Sequence, residues 1–128
     1  MPVTNYTSKT FELADEDLKI ANLLLKEGAS TNGVAFHAQQ AAEKYLKGFL
    51  ASQEQHVRKV HSMEALLADC AKKDASFENL KNDAAHLDQF YTEARYADDF
   101  RHVTLGEAKQ AIEAAERFKD FVREKLNL

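Results

Sequence analysis

The stretch FHAQQAAEKYLKGFL, residues 36–50, reads as one helix with two unlike halves. Successive residues advance ~100° around a helix. Ala38, Ala41, Ala42, Tyr45, Leu46 and Phe49 therefore share one half, and His37, Gln40, Glu43, Lys44 and Lys47 share the other. Alanines at the centre of the apolar stripe let a neighbouring backbone come close, and Tyr45 and Phe49 fill the space beyond it. The pattern predicts tight packing of helix on helix. What the polar half faces is the question it leaves.

Outward from this stretch, almost nothing breaks a helix. The 128 residues include four glycines and one proline, at position 2. Phe11, Ala14, Leu18, Ala21 and Leu25 recur at helical steps and predict a first helix from about Ser8 to Glu27, stopped by Gly28 and the turn GASTNG. The second runs from about Gly33 to Ser52. After the polar connection QEQHVRKVHS, Ser62 is an N-cap for a third helix, MEALLADCAKK. DASFENLKNDAAHLDQFYTEARYAD reads as a fourth, irregular at its start, and TLGEAKQAIEAAERFKDFVREKL as a fifth. In the fifth, Thr104 and Glu107 have the spacing of a capping box, and Ala108, Ala111, Ala115, Phe118 and Val122 form the stripe.

No stretch alternates with period two, so no sheet is expected. The expected fold is all-α: a single domain over 1–128, built as an up-and-down antiparallel bundle of four long helices plus a shorter one. The alanine-rich faces of helices two and five leave little bulk for a core, and from this a helix-mediated homodimer is expected.

Composition bounds the function. A formal charge of −4, with 17 basic against 21 acidic residues, argues against broad affinity for nucleic acid, which needs a basic surface. Cys70 is the only cysteine, so no internal disulfide can form and a reducing, cytoplasmic setting is expected. It falls with Leu66 and Leu67 on an apolar face, as a buried structural thiol would. The N-terminal residues show no apolar run, so neither a signal peptide nor a membrane span is expected.

Five histidines are the first chemical candidates. His56 and His61 lie in one connection with no cysteine or second histidine pair near them, which is weak for zinc. His61, just before the Ser62 cap, suits a local hydrogen bond. His86 suits a partly buried place in helix four, and His37 opens the polar face of helix two. Asp98 and Asp99 are adjacent carboxylates of a kind usually solvated. The richest segment is YTEARYADDFRHVT, residues 91–104, between the fourth and fifth helices. It gathers Arg95, Tyr96, Arg101 and His102: two forks of phosphate-matching donors, a phenol, and a group able to act as a base near neutrality. A charged interhelical loop with no chemistry is the plain alternative.

AFHAQQAAEKYLKGFL, the later VHSMEALL and then YTEARYADDF together resemble the HEPN domain, the higher-eukaryote and prokaryote nucleotide-binding domain, over nearly the whole chain. The combination of Gln40, Ala41, Glu43, Lys44 and Lys47 carries most of the likeness. His61 and Leu66 match the family's histidine–leucine stretch, and Tyr91, Arg95 and Tyr96 its aromatic–arginine–aromatic turn. The resemblance implies a helical bundle, usually dimeric, often encoded beside a minimal nucleotidyltransferase and in several cases paired with it as toxin and antitoxin. Toxic members are metal-independent ribonucleases with an arginine, four to six residues and a histidine. Here Arg95 and His102 enclose YADDFR, the upper limit of that spacing. The chain departs from the pattern in having Ala97 where many relatives have proline after the arginine–aromatic pair, and many relatives lack a histidine at this place.

The likeness therefore implies Arg95 and His102 as catalytic residues, with Gln40, Glu43, Lys44, Lys47, Tyr96 and Arg101 contacting RNA or nucleotide, and no cofactor or metal. The alternatives are a non-catalytic module that binds a nucleotide or a nucleotidyltransferase partner, and a helical dimer with no ligand.

Overall fold

The computed structural model describes residues 4–91 and 101–128. Five α-helices follow in order: α1 (Asn5–Lys26), α2 (Thr31–Ser52), α3 (Met63–Ala71), α4 (Lys81–Asp88) and α5 (Leu105–Lys125). A 3-10 turn, Ala75–Leu80, leads into α4. The described residues include no strand, and no helix among them is long and apolar enough to cross a membrane. The all-α bundle expected from the pattern is the fold observed. Its fourth helix begins as the 3-10 turn and ends at Asp88, earlier than expected, and whatever was expected of it from residue 92 to residue 98 lies outside the described residues.

Four of the five helices start where a side chain can take an orphaned N–H, and α4, which continues from the 3-10 turn at Leu80, has no such cap. Ser62 accepts from Ala65 N at 3.1 Å, as its position predicts. Thr104 and Glu107 form the expected capping box, each side chain holding the other's backbone N–H. Thr4 and Ser30 also cap, which is why α1 and α2 begin two or three residues earlier than their apolar periodicity suggests. At the end of α1, Ala29 N reaches Leu24 O at 2.9 Å and Gly28 N reaches Leu25 O at 3.1 Å. Gly28, at φ +66°, supplies the left-handed residue this closure needs.

α2 lies at the centre, in contact with α1, α3, α4 and α5. Its apolar stripe is buried as predicted, and the approach to α1 is close because residue 48 is glycine, with the Phe11 ring where a Cβ would stand. Phe49, Phe77 and Phe121 form a chain of rings at centroid distances of 4.6 and 4.8 Å. Cys70 is buried with its thiol against Leu46 O, and burial raises its pKa. Burial, with help from a hydrogen bond to Asp15, also raises that of the Tyr45 phenol.

The alanine faces need a correction. Ala35, Ala38, Ala41 and Ala42 of α2, and Ala108, Ala111, Ala114 and Ala115 of α5, are each 0% exposed within one chain. The small side chains let α1 and α5 approach α2 closely, and aromatic rings occupy the remaining room. These faces leave no apolar surface for a second chain, so they give no reason for a dimer.

Candidate functional site

The polar half of α2 does not face open water at its middle. Glu43 is 3% exposed and Gln39 is 0% exposed, because the connection after α2 folds back over them. His61 Nδ1 lies 2.7 Å from Glu43 Oε1, and Lys47 Nζ lies 3.3 Å from the same oxygen. Gln39 Nε2 donates to His61 O at 3.3 Å, and Gln40 Nε2 donates to Gln39 Oε1 at 2.7 Å. One turn away the face binds α1: Asp17 receives Lys44 Nζ at 2.5 Å and meets His37 Nδ1 at 3.0 Å. Gln40, Glu43 and Lys47 thus share one network around His61, and Lys44 belongs to a separate interhelical pair. A ligand reaching either lysine must share it with a carboxylate already in place.

From His61 the network passes to the segment expected to carry the chemistry. The His61 and Tyr91 rings stack, with centroids 4.3 Å apart and planes 18° apart. Asp88 closes α4 and caps α3, accepting from Met63 N at 2.6 Å and Glu64 N at 3.1 Å. Between these groups lies an open concavity of about 510 Å³ lined by Lys59, Val60, His61, Ser62, Asp88 and Tyr91. Arg95, Tyr96, Ala97, Asp98 and Asp99 lie outside the described residues.

The far end of the segment is strapped down. Arg101 pairs with Glu107, reaches Gln89 Oε1 at 3.4 Å and lies 5.6 Å above the Phe90 ring. It therefore clasps the residues on either side of 92–100 to the start of α5. The Thr104 backbone N–H and the Arg101 guanidinium hold the Glu107 carboxyl below its ordinary pKa. The residues around His102 are bound to the first turn of α2. Thr31 Oγ1 donates to Val103 O at 2.6 Å, Asn32 Nδ2 donates to Arg101 O at 2.6 Å, and Val103 N donates to Asn32 Oδ1 at 3.1 Å. His102 itself is exposed and makes no hydrogen bond among the described residues.

His102 and the Glu43 network are separate along α2. Asn32 and Glu43 are eleven residues apart, about 16 Å at 1.5 Å per residue. The expected site residues thus divide into an exposed histidine at one end of α2 and a closed polar network near its middle. Sequence reading missed Thr31 and Asn32, which stand inside GASTNG and read as turn residues. Their partners are some 70 positions away, and no local pattern signals that. It also missed Asp17 and Gln89.

The chain matches the family model of the HEPN domain over residues 7–125. No curated protein matches it. Among solved structures it resembles TT1696 from Thermus thermophilus, with 34% identity and a TM-score of 0.85 over 95% of this chain and 99% of that one. It also resembles ST0689, an archaeal HEPN homologue, with 26% identity and a TM-score of 0.76 over 93% of this chain and 96% of that one. Sequence and fold agree along almost the full length, and the chain belongs to the HEPN domain family.

Proposed function

We propose that this HEPN protein is a metal-independent endoribonuclease in which Arg95 and His102 carry the reaction. The observation behind this reading is the state of His102: an exposed imidazole with no hydrogen bond among the described residues, on a backbone tied to α2 on both sides. Such a group is free to accept a proton without breaking a structural bond. His102 takes the proton of a ribose 2′-hydroxyl, the 2′-oxygen attacks the adjacent phosphorus, and the bond to the 5′-oxygen breaks. The products are a 2′,3′-cyclic phosphate and a 5′-hydroxyl, the latter protonated from solvent or from the imidazolium. Arg95 offers its fork of donors to the phosphate as charge develops. Tyr96 orients the strand, and the concavity beside His61 and Tyr91 is large enough for one nucleotide. Arg101 is engaged by Glu107 and Gln89, and contributes by holding the ends of the segment together.

Two chains, each with one such segment, would form a single cleft from two halves, and a homodimer is part of this proposal. Purified protein incubated with RNA in the presence of chelator is expected to leave cyclic-phosphate ends, and Arg95→Ala or His102→Ala is expected to abolish them. Cleavage unaffected by both substitutions overturns the assignment.

A second reading has an observation of its own. Lys44, Lys47 and Arg101 are all paired with carboxylates, and the net charge is −4, a poor field for a polyanion. These favour a non-catalytic module that binds a nucleotide or a minimal nucleotidyltransferase. Saturable nucleotide binding by calorimetry, lost in Arg95→Ala and without RNA cleavage, would select it.

A further inference from the structure

His102 makes no hydrogen bond of its own among the described residues, and what these residues hold is the backbone on either side of it. The two peptide groups flanking it are held by one side chain. Asn32 Nδ2 donates to the Arg101 carbonyl at 2.6 Å, and the Val103 N–H donates to Asn32 Oδ1 at 3.1 Å. The amide thereby pairs with residue 102 as the backbone of a neighbouring strand would, one donor and one acceptor facing one acceptor and one donor. Thr31 Oγ1 adds a third bond, to the Val103 carbonyl. Both residues stand in the first turn of a helix whose N-cap, Ser30, is in place and whose next turns are buried. The hold on His102 is therefore transmitted from the most enclosed helix of the bundle.

We propose that Asn32 is the positioning residue for His102, fixing where the imidazole stands without touching substrate. The inference rests on the reading of His102 as the general base, yet its geometric half can be measured separately. A side chain that merely tied a loop would affect stability and substrate affinity. One that aims a base affects turnover, because misplacement of a reacting group by about 1 Å can cost about a hundredfold.

The test uses the full chain with Asn32→Ala and Asn32→Asp. In Asn32→Ala, kcat for RNA cleavage is expected to fall about a hundredfold with KM within about twofold. The Val103 amide should also exchange at least about tenfold faster, having lost its acceptor. Asn32→Asp keeps that acceptor but sets a carboxylate against the Arg101 carbonyl. Once protonated, its O–H can donate as the amide did. The His102 ring resonances of Asn32→Asp should therefore approach the wild-type positions at the same pH as the pH drops below about 4, and those of Asn32→Ala should not. A kcat within twofold of wild type in Asn32→Ala, when His102→Ala abolishes cleavage, overturns the proposal and leaves the nuclease reading standing. If the wild type cleaves no RNA, the nuclease reading fails, and the magnetic measurements decide this one. Unchanged His102 resonances and Val103 exchange in Asn32→Ala overturn it, and altered ones uphold it.

Discussion

A Cβ at Gly48 would stand 2.5 Å from Phe11 Cε1 and 2.9 Å from both Cδ1 and Cζ. Glycine in a helix interior ordinarily costs about 1 kcal/mol relative to alanine, so here close packing of α1 on α2 outweighs propensity. Overpacking a core costs about 1–3 kcal/mol. Gly48→Ala should therefore lower stability by about 1 kcal/mol, seen as a lower urea midpoint with an unchanged slope. In a Phe11→Ala background the obstacle is gone, and the same substitution should stabilise; additive effects of the two changes would refute this account. The periodicity of α2 already showed which half packs, through Ala38, Ala41 and Ala42. It did not show that Gly48 is the point of closest approach, since a glycine near a helix end reads equally well as a stop. Nor did it show that Glu43 is buried. Helical angle places Glu43 on the polar half, and only the return of residues 59–62 over that half closes it off.

Helix boundaries depend on single side chains, and their legibility varied with how local the signal was. Ser62 and the Thr104–Glu107 box lie within three residues of what they cap and were read directly. The strap from Thr31 and Asn32 to residues 101–103 joins parts of the chain far apart in sequence and had no local signature. Asp74 combines both kinds. It caps the 3-10 turn through Ser76 N at 2.9 Å and meets Lys125 Nζ at 3.0 Å, tying the end of α5 to the turn. The hydrogen bonds from Ser76, then that from Lys125, lower its pKa from 3.8 to about 2. A depressed carboxyl contributes stability that is complete above its unfolded value and is lost as pH falls through the folded one. Asp74→Asn keeps the capping oxygen and removes the charge. The wild type should therefore melt at a higher temperature than Asp74→Asn above pH 4, and the two curves should converge as the pH falls to about 2. A difference that persists unchanged at the acid end would show that the carboxylate's charge is not what separates the two proteins.

At the scale of the whole molecule the open matter is how two chains would meet. The alanine faces are closed within one chain, and among the described residues the large apolar side chains that remain outside are Tyr6, Leu13, Leu23, Leu105 and Leu128, each more than half exposed. They lie in different places. Leu13 stands on the outer flank of α1, whereas Leu105 is the first residue of α5, three positions after His102. A composite cleft of two Arg95–His102 segments requires the seam to run by Leu105. Burying one leucine contributes about 1.5–3 kcal/mol, and a two-fold contact buries it twice. Leu105→Asp should thus weaken association at least a hundredfold by light scattering or sedimentation across micromolar concentrations. The fold should survive, because a carboxylate suits the first turn of a helix. Leu13→Asp should leave the mass at two chains and the RNA products unchanged. The reverse outcome, dissociation by Leu13→Asp alone, would put the seam on α1 and leave each His102 to act without a partner. A single-chain mass for the wild type at all concentrations would remove the composite cleft altogether.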